Sequence, residues 1–304
     1  MIWLNGQLLP DSEARVSVYD SSLMFGDMVF EFLRTFGQRP FKLVEHLKRL
    51  LASAKMAQID VPYSLADLEK AHDSLLEANR GEFAPDDEFR TLINVSRGTL
   101  PMYQGMVPQR EWVMMTCFNL KIVLKGTSEW YNYGVDGFIA SQRAIPSYLV
   151  SPRIKHRSRL YLKMAALEAE SPRQWPILLD PDGFISEGTG SNIFLVKNRR
   201  VYTPEARNCL DGISRRYVMG LLERQGKPVI EQNLDVYDVM MADELFFTNT
   251  PNCIMPCTSI NRQIIGNRLP GPITLDLMDQ WEKNVGCRWR EQSSRWDRNN
   301  AVTQ

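Results

Sequence analysis

No sign of charge prevails in this chain: 36 basic side chains are matched by 36 acidic ones over 304 residues. A nucleic-acid binder announces itself by a basic excess, so that class is set aside and a small-molecule ligand is expected. Cysteine is scarce as well. The five present, Cys117, Cys209, Cys253, Cys257 and Cys287, are odd in number, and only Cys253 and Cys257 stand close together. Neither a disulfide framework nor a zinc site is suggested, and no metal is expected. Long apolar runs are missing too: none approaches the ~20 residues that a bilayer-spanning helix requires. The opening Met1-Ile2-Trp3-Leu4-Asn5-Gly6 has no basic region leading into an apolar core. Residence in the cytoplasm without membrane attachment is the expectation.

What is there is enough chain for two domains. Ile2 to Pro10 reads as a hairpin turning at Asn5-Gly6, the dipeptide that best tolerates positive φ. Apolar residues at Leu43, Leu47, Leu50, Leu51, Ala54 and Met56 recur at helical spacing until Asp60-Val61-Pro62 stops them. A second helix is expected from Leu65 to Asn79, capped by Ser64. Arg90 to Arg97 and Glu111 to Leu120 are rich in β-branched, aromatic and apolar residues and read as strands. The pattern breaks over Lys121 to Gly134. The boundaries expected are therefore an α+β domain over 1–124, a second domain over 125–288, and a tail, 289–304, whose charged and aperiodic composition predicts disorder. In the second domain, Ser158 to Glu170 reads as a helix. Ile177 to Asp180 and Gly183 to Val196 read as a strand pair, and another helix runs from about Ser214 to Gly226.

Three places carry chemistry. Lys155 lies in Pro152-Arg153-Ile154-Lys155-His156-Arg157-Ser158-Arg159, where crowded cations and burial would both lower its pKa. Such a lysine can form a Schiff base with an aldehyde, as in the anchoring of pyridoxal phosphate; a solvated basic cluster is the competing reading. Glu187 stands among small polar residues between apolar strand segments, in Ile185-Ser186-Glu187-Gly188-Thr189-Gly190-Ser191-Asn192. A buried carboxylate there needs a cationic partner such as a protonated pyridine nitrogen, whereas at a strand end it would simply face water. Leu210-Asp211-Gly212-Ile213-Ser214 turns into a helix start, a place where N–H groups and the helix dipole favour an anion such as phosphate, although any helix start offers the same.

In combination these segments resemble the class IV, or fold-type IV, pyridoxal-phosphate-dependent aminotransferases over nearly the whole chain. That family includes branched-chain aminotransferases, D-amino-acid aminotransferases and aminodeoxychorismate lyases. Val18-Tyr19-Asp20 with Phe25 to Glu31 is similar to its N-terminal signature, and Glu45-His46-Leu47-Lys48-Arg49-Leu50 to the helix with its phosphate-binding arginine. Ile154-Lys155-His156, Ser186 through Phe194, Gly212-Ile213-Ser214-Arg215 and Phe247-Thr248-Asn249-Thr250 follow in the family's order. The resemblance implies a two-domain α+β fold and pyridoxal 5'-phosphate as cofactor. Lys155 would form the Schiff base and carry the proton, and Glu187 would pair with the pyridine nitrogen. Arg49, Ile213, Ser214 and Thr250 would cradle the phosphate, with Ser191 and Asn192 as further cofactor contacts.

The implied reaction moves an amino group from an amino acid, apolar or aromatic, to a 2-oxo acid by a ping-pong route. A lyase resembling aminodeoxychorismate lyase and a primary-amine transaminase are the alternatives. Phe30, Phe32, Arg34, Arg90, Met102 and Pro251 are the candidate substrate positions. Met102 and Gln104 stand where the D-amino-acid enzymes carry a carboxylate clamp, and Leu160 where branched-chain enzymes carry a tyrosine. Pro251 removes one of two N–H donors that hold the substrate carboxylate in the latter, so a cation is expected to help, Arg34 and Arg90 being the candidates. Trp130, Tyr131 and Tyr133 are either pocket lining or packing. A homodimer is expected from the resemblance and from the apolar concentration of Phe25, Met28, Phe30 and Phe32.

Overall fold

A computed structural model of the chain describes residues 1–103, 105, 111–267 and 269–301, with side chains as far as residue 298. Gln104 and residues 302–304 lie outside the described residues. The chain forms two compact units, one of Met1–Leu120 with Ile154–Arg159, the other of Lys121–Arg153 and the chain from Leu160 onward.

The first unit is built on a six-stranded sheet in the order Gln7–Leu9, Ile2–Leu4, Trp112–Asn119, Phe89–Ser96, Met28–Phe36, Arg39–Pro40. Every neighbouring pair is antiparallel. Asn5 and Gly6 have φ of 45° and 90°, the two positive values that a tight hairpin turn needs. Helices Leu43–Met56 and Leu65–Asn79 cover one face. Ser64 accepts the Asp67 N–H while Asp67 accepts the Ser64 N–H, a reciprocal cap. Strand alternation sends Val29, Leu33, Ile93, Val95, Val113 and Met115 into the core beneath Leu47, Leu50, Ala54, Leu68 and Leu75. The opposite face of the same strands carries Phe30, Phe32 and Arg34, registered against Asn94, Leu92 and Arg90.

His72 sits in this core, with Nε2 3.1 Å from Thr91 Oγ1. Its Nδ1 is buried without a hydrogen-bond partner. Burial holds its pKa down at about 4, so the unfolded chain takes up this proton first as pH falls. His72 is therefore expected to cost stability progressively between pH ~6.5 and 4, by about 3 kcal/mol at the lower end. Urea unfolding across that range should show His72→Gln losing less stability than the parent; identical slopes would show that His72 is not the group responsible.

The second unit has a nine-stranded mixed sheet. Its order is Ile230–Glu231, Arg200–Thr203, Asn192–Lys197, Glu244–Asn249, Cys253–Ile260, Val135–Arg143, Gln174–Leu179, Ile185–Gly188, with Gln263–Ile264 added beside Cys253–Ile260. Helices Ile213–Arg224 and Pro272–Val285 pack on it, with Tyr217 and Trp281 ring centroids 4.6 Å apart. Among the described residues no helix is long and apolar enough to cross a membrane, and all five cysteines are free.

Several expectations are corrected. The strand expected over Gly183 to Val196 is two strands with different neighbours: Ile185–Gly188 pairs with Gln174–Leu179, and Asn192–Lys197 pairs with Glu244–Asn249. The Gly188 N–H donates to the Ser191 carbonyl at 2.8 Å and closes the turn between them. A Cβ on Gly188 would lie 2.4 Å from Ser191 Oγ, so glycine is needed there. The tail expected to be disordered forms the helix Trp289–Ala301. Trp289, Ser293 and Trp296 recur at helical spacing and are buried, and Asp297 accepts the N–H groups of Gly126 and Ser128. Tyr131 is packing rather than pocket lining, its ring set edge-on to Trp289 at 5.0 Å. Helix 158–170 is shorter than expected, Leu160–Leu167. Residues Ile154–Arg159, assigned by sequence to the second domain, belong to the first unit because they pair with its sheet.

Candidate active site

In the first unit, Lys155 is placed by its backbone. The extended segment runs along strand Met28–Phe36: Val29 bridges His156, the Phe30 N–H donates to the Lys155 carbonyl at 2.9 Å, and the Arg157 N–H donates to the Met28 carbonyl at 3.0 Å. On its other side the Lys155 N–H donates to Ser53 Oγ at 3.2 Å, from helix Leu43–Met56. The side chain projects over Phe30, with Nζ 4.9 Å from the ring centroid. The amine thereby lies on the sheet face that carries Phe30, with Phe32 and Arg90 on that face too.

Arg49 is on the same helix as Ser53. Its Nε and Nη2 donate to Glu31 Oε1 and Oε2 at 2.6 and 2.9 Å, and His46 Nδ1 lies 2.8 Å from Glu31 Oε2. Glu31 occupies a core-facing strand position and is wholly buried. Burial would raise its carboxyl, yet the Arg49 charge, with His46 beside it, outweighs burial and holds the carboxyl well below the usual range. Burial likewise holds His46 below its ordinary value, so it is a neutral ring donating Nδ1–H to Glu31. Glu31→Gln would leave the Arg49 charge buried without its counter-ion, with a stability loss of about 3 kcal/mol. Denaturant unfolding checks this through the midpoint, and a loss below about 1 kcal/mol would contradict it.

Of the other first-unit candidates, Arg34 is buried, donating Nε to the Thr35 carbonyl and lying 4.0 Å from the Phe36 centroid. Arg90 lies 4.1 Å from the Phe32 centroid. Met102 is 75 % exposed. Of the four apolar residues invoked for dimerisation, only Phe25 is largely exposed, and Phe30 is buried.

In the second unit a hydrogen-bonded network joins Glu187 and Asn192 through Leu210. Glu187 Oε2 accepts the Leu210 N–H at 3.0 Å, and Asn192 Nδ2 donates to the Leu210 carbonyl at 2.7 Å. Leu210 is thus gripped at both of its backbone polar groups. Ser186 Oγ donates to the Asn208 carbonyl at 2.6 Å and fixes the same loop. Two residues on, Gly212 begins helix Ile213–Arg224 with no side-chain cap, so the first-turn N–H groups have no partner within the helix. A Cβ at Gly212 would lie 2.1 Å from Asn192 Oδ1, so only glycine permits this approach. Thr248 stands opposite Asn192 across the ladder, and its Oγ1 is buried without a hydrogen-bond partner. Ile213, Ser214 and Ser191 are buried nearby in sequence and ladder order. Cys209, beside Glu187, has its thiol pushed up to about 12 by burial first and the Glu187 charge second, which keeps it protonated and inert.

At Thr250-Pro251-Asn252 the chain turns between strands, and the Asn252 N–H donates to Asn249 Oδ1 at 2.7 Å. Pro251 has no N–H, so the turn already uses the donor that follows it. Sequence reasoning missed Glu31 and His46. A charged residue at a strand position facing the core, with His46 and Arg49 three apart on a helix, was the available signal.

A carboxylate held in register with an uncapped helix start, with an orphaned hydroxyl beside it, fits a molecule that carries both a basic ring nitrogen and a phosphate. That chemistry defines a cofactor-dependent class of enzyme. The profile of the family described as amino-transferase class IV matches residues 28–260, and the chain belongs to that family. It is 34 % identical over 293 residues to a Methanocaldococcus jannaschii protein assigned as a branched-chain-amino-acid aminotransferase, covering 95 % of this chain and 97 % of that one. It is 30 % identical to the D-alanine aminotransferase of Bacillus licheniformis, covering 93 % and 96 %. The crystal structure of the Escherichia coli branched-chain amino acid aminotransferase superposes with a TM-score of 0.83 at 28 % identity, over 92 % of each chain. The fold is that of fold-type IV aminotransferases, and the chain is a transaminase.

Proposed function

We propose that this enzyme transfers the amino group of an apolar or aromatic amino acid to a 2-oxo acid, alternating donor and acceptor in a ping-pong cycle with pyridoxal 5'-phosphate. The observation that carries the proposal is the network running from Glu187 through Leu210 and Asn192 to Gly212, because it couples a fixed negative charge to an anion-binding helix start. When bound, the cofactor supplies an aldehyde for covalent capture of the amine and a ring that withdraws electrons.

This chain's residues then have distinct tasks. Lys155 would hold the cofactor through its aldehyde carbon, and its amine would move the proton at the substrate carbon. Glu187 would face the ring nitrogen and favour its protonated form, its own direction set by the Leu210 N–H. Ile213, Ser214, Thr250 and Arg49 bind the phosphate, and Ser191 and Asn192 brace that site. Phe30 and Phe32 exclude water and receive the apolar group, with Arg34, Arg90 and Met102 as further substrate positions of the first unit and Pro251 as one of the second. The protein works as a cytoplasmic homodimer, which light scattering over a dilution series would reveal.

A panel of L- and D-amino acids tests the reading by conversion of bound pyridoxal to pyridoxamine phosphate and its reversal by a 2-oxo acid. Conversion by amino acids supports it. Conversion by primary amines alone, or pyruvate release from aminodeoxychorismate without an oxo acid, overturns it.

A further inference from the structure

Among the arginines of the first unit, Arg90 and Arg157 lie against one ring, Phe32. Arg49 is neutralised by Glu31 and Arg97 by Asp27. Arg90 and Arg157 have no carboxylate within ion-pair reach among the described residues. The Arg90 guanidinium lies 4.1 Å from the Phe32 centroid and 5.6 Å from that of Phe118, with Nε buried and unpartnered. The Arg157 guanidinium lies 3.8 Å from the Phe30 centroid and 5.3 Å from that of Phe32. Its Nη2 donates to Asn94 Oδ1 at 3.2 Å.

Both cations therefore meet at Phe32, Arg90 reaching on to Phe118 and Arg157 to Phe30, over which Lys155 also projects. Arg159 adds a third, 5.1 Å from the Phe30 centroid, with its Nε donating to the His156 carbonyl. Such crowding is unfavourable, and it registers in Arg90, whose pKa is drawn down to about 10 by burial first and by Arg157 second. Ring faces attract a guanidinium but do not use its N–H forks. A planar carboxylate would satisfy both forks and remove the repulsion, whereas an alkyl group or an amine would do neither.

We infer that Arg157, beside the Arg90 already proposed as a substrate position, binds a carboxylate of the substrate and is a specificity-determining residue of this enzyme. The inference rests on the transaminase reading only for the identity of the ligand as substrate. The carboxylate is either the one on the reacting carbon, common to every amino acid, or the distal one of a dicarboxylic acid.

Calorimetric titration of the holoenzyme with glutarate and with hexanoate separates the sources. Arg157→Gln is expected to weaken glutarate by at least about tenfold. Equal weakening of hexanoate assigns the common carboxylate, and unchanged hexanoate assigns the distal one. If the glutamine variant fails to fold, Arg157→Lys carries the test. It keeps the charge and the stem over Phe30 but lacks the fork, so an intermediate weakening of about threefold or more is expected. Unchanged affinity for both acids in the variant that folds overturns the inference. Glutarate that binds through Arg157 to a protein converting no amino acid would leave the inference intact and defeat the transaminase reading instead.

Discussion

Lys155→Ala is expected to yield a folded protein that retains no covalent cofactor and transaminates at least about a thousandfold more slowly, the scale on which a positioned proton carrier contributes. Folding should survive because backbone hydrogen bonds that alanine keeps tie this residue to its neighbours. Its carbonyl accepts from Phe30 and its N–H donates to Ser53 Oγ, and alanine keeps both. What the substitution removes is the amine over Phe30. The protein should therefore lose its visible cofactor band on dialysis while its unfolding midpoint stays near that of the parent. A variant that retained the band and a rate within about tenfold of the parent would show that another group does this work.

Glu187→Gln is expected to bind cofactor and substrate almost normally yet to slow the single-turnover half-reaction by about a hundredfold or more. The glutamine oxygen can still accept the Leu210 N–H, so the grip of Asn192 on the Leu210 carbonyl is undisturbed. The charge is lost, and with it the means of holding a proton on the ring nitrogen. The effect should fall on kcat rather than on KM, since the charge matters most when electrons are withdrawn during proton transfer. Parental single-turnover rates would leave Glu187 as a structural brace and no more.

Much of this was legible in the sequence because local rules and motif order coincided. Asn5-Gly6, the Ser64 cap and the periodic leucines of Leu43–Met56 predicted their elements from turn chemistry and spacing alone. Lys155, Glu187 and the Gly212 turn were each ambiguous singly, and became specific by their order along the chain. The failures share a cause, which is that long-range contact decided the outcome. The helix Trp289–Ala301 reads as a charged tail because only Trp289 and Trp296 supply apolar bulk, and what orders it is contact with residues 126–131. The break between Gly188 and Asn192 is invisible in composition because the strands on either side join different neighbours. Arg157 was hidden among Arg153, His156 and Arg159 as one more member of a basic run. The register of Ile154–Arg159 against strand Met28–Phe36 singles it out, by laying its guanidinium 3.8 Å from the Phe30 centroid against 5.1 Å for Arg159.

The central claim is that one lysine, Lys155, holds the cofactor. Borohydride fixes a lysine–cofactor link irreversibly, and proteolysis followed by mass mapping of the cofactor-bearing peptide then locates it. The label should reside on Lys155 in a peptide containing Ile154 and His156, at close to one per chain; a label on exposed Lys163 of the following helix, or on any lysine other than Lys155, would contradict the account.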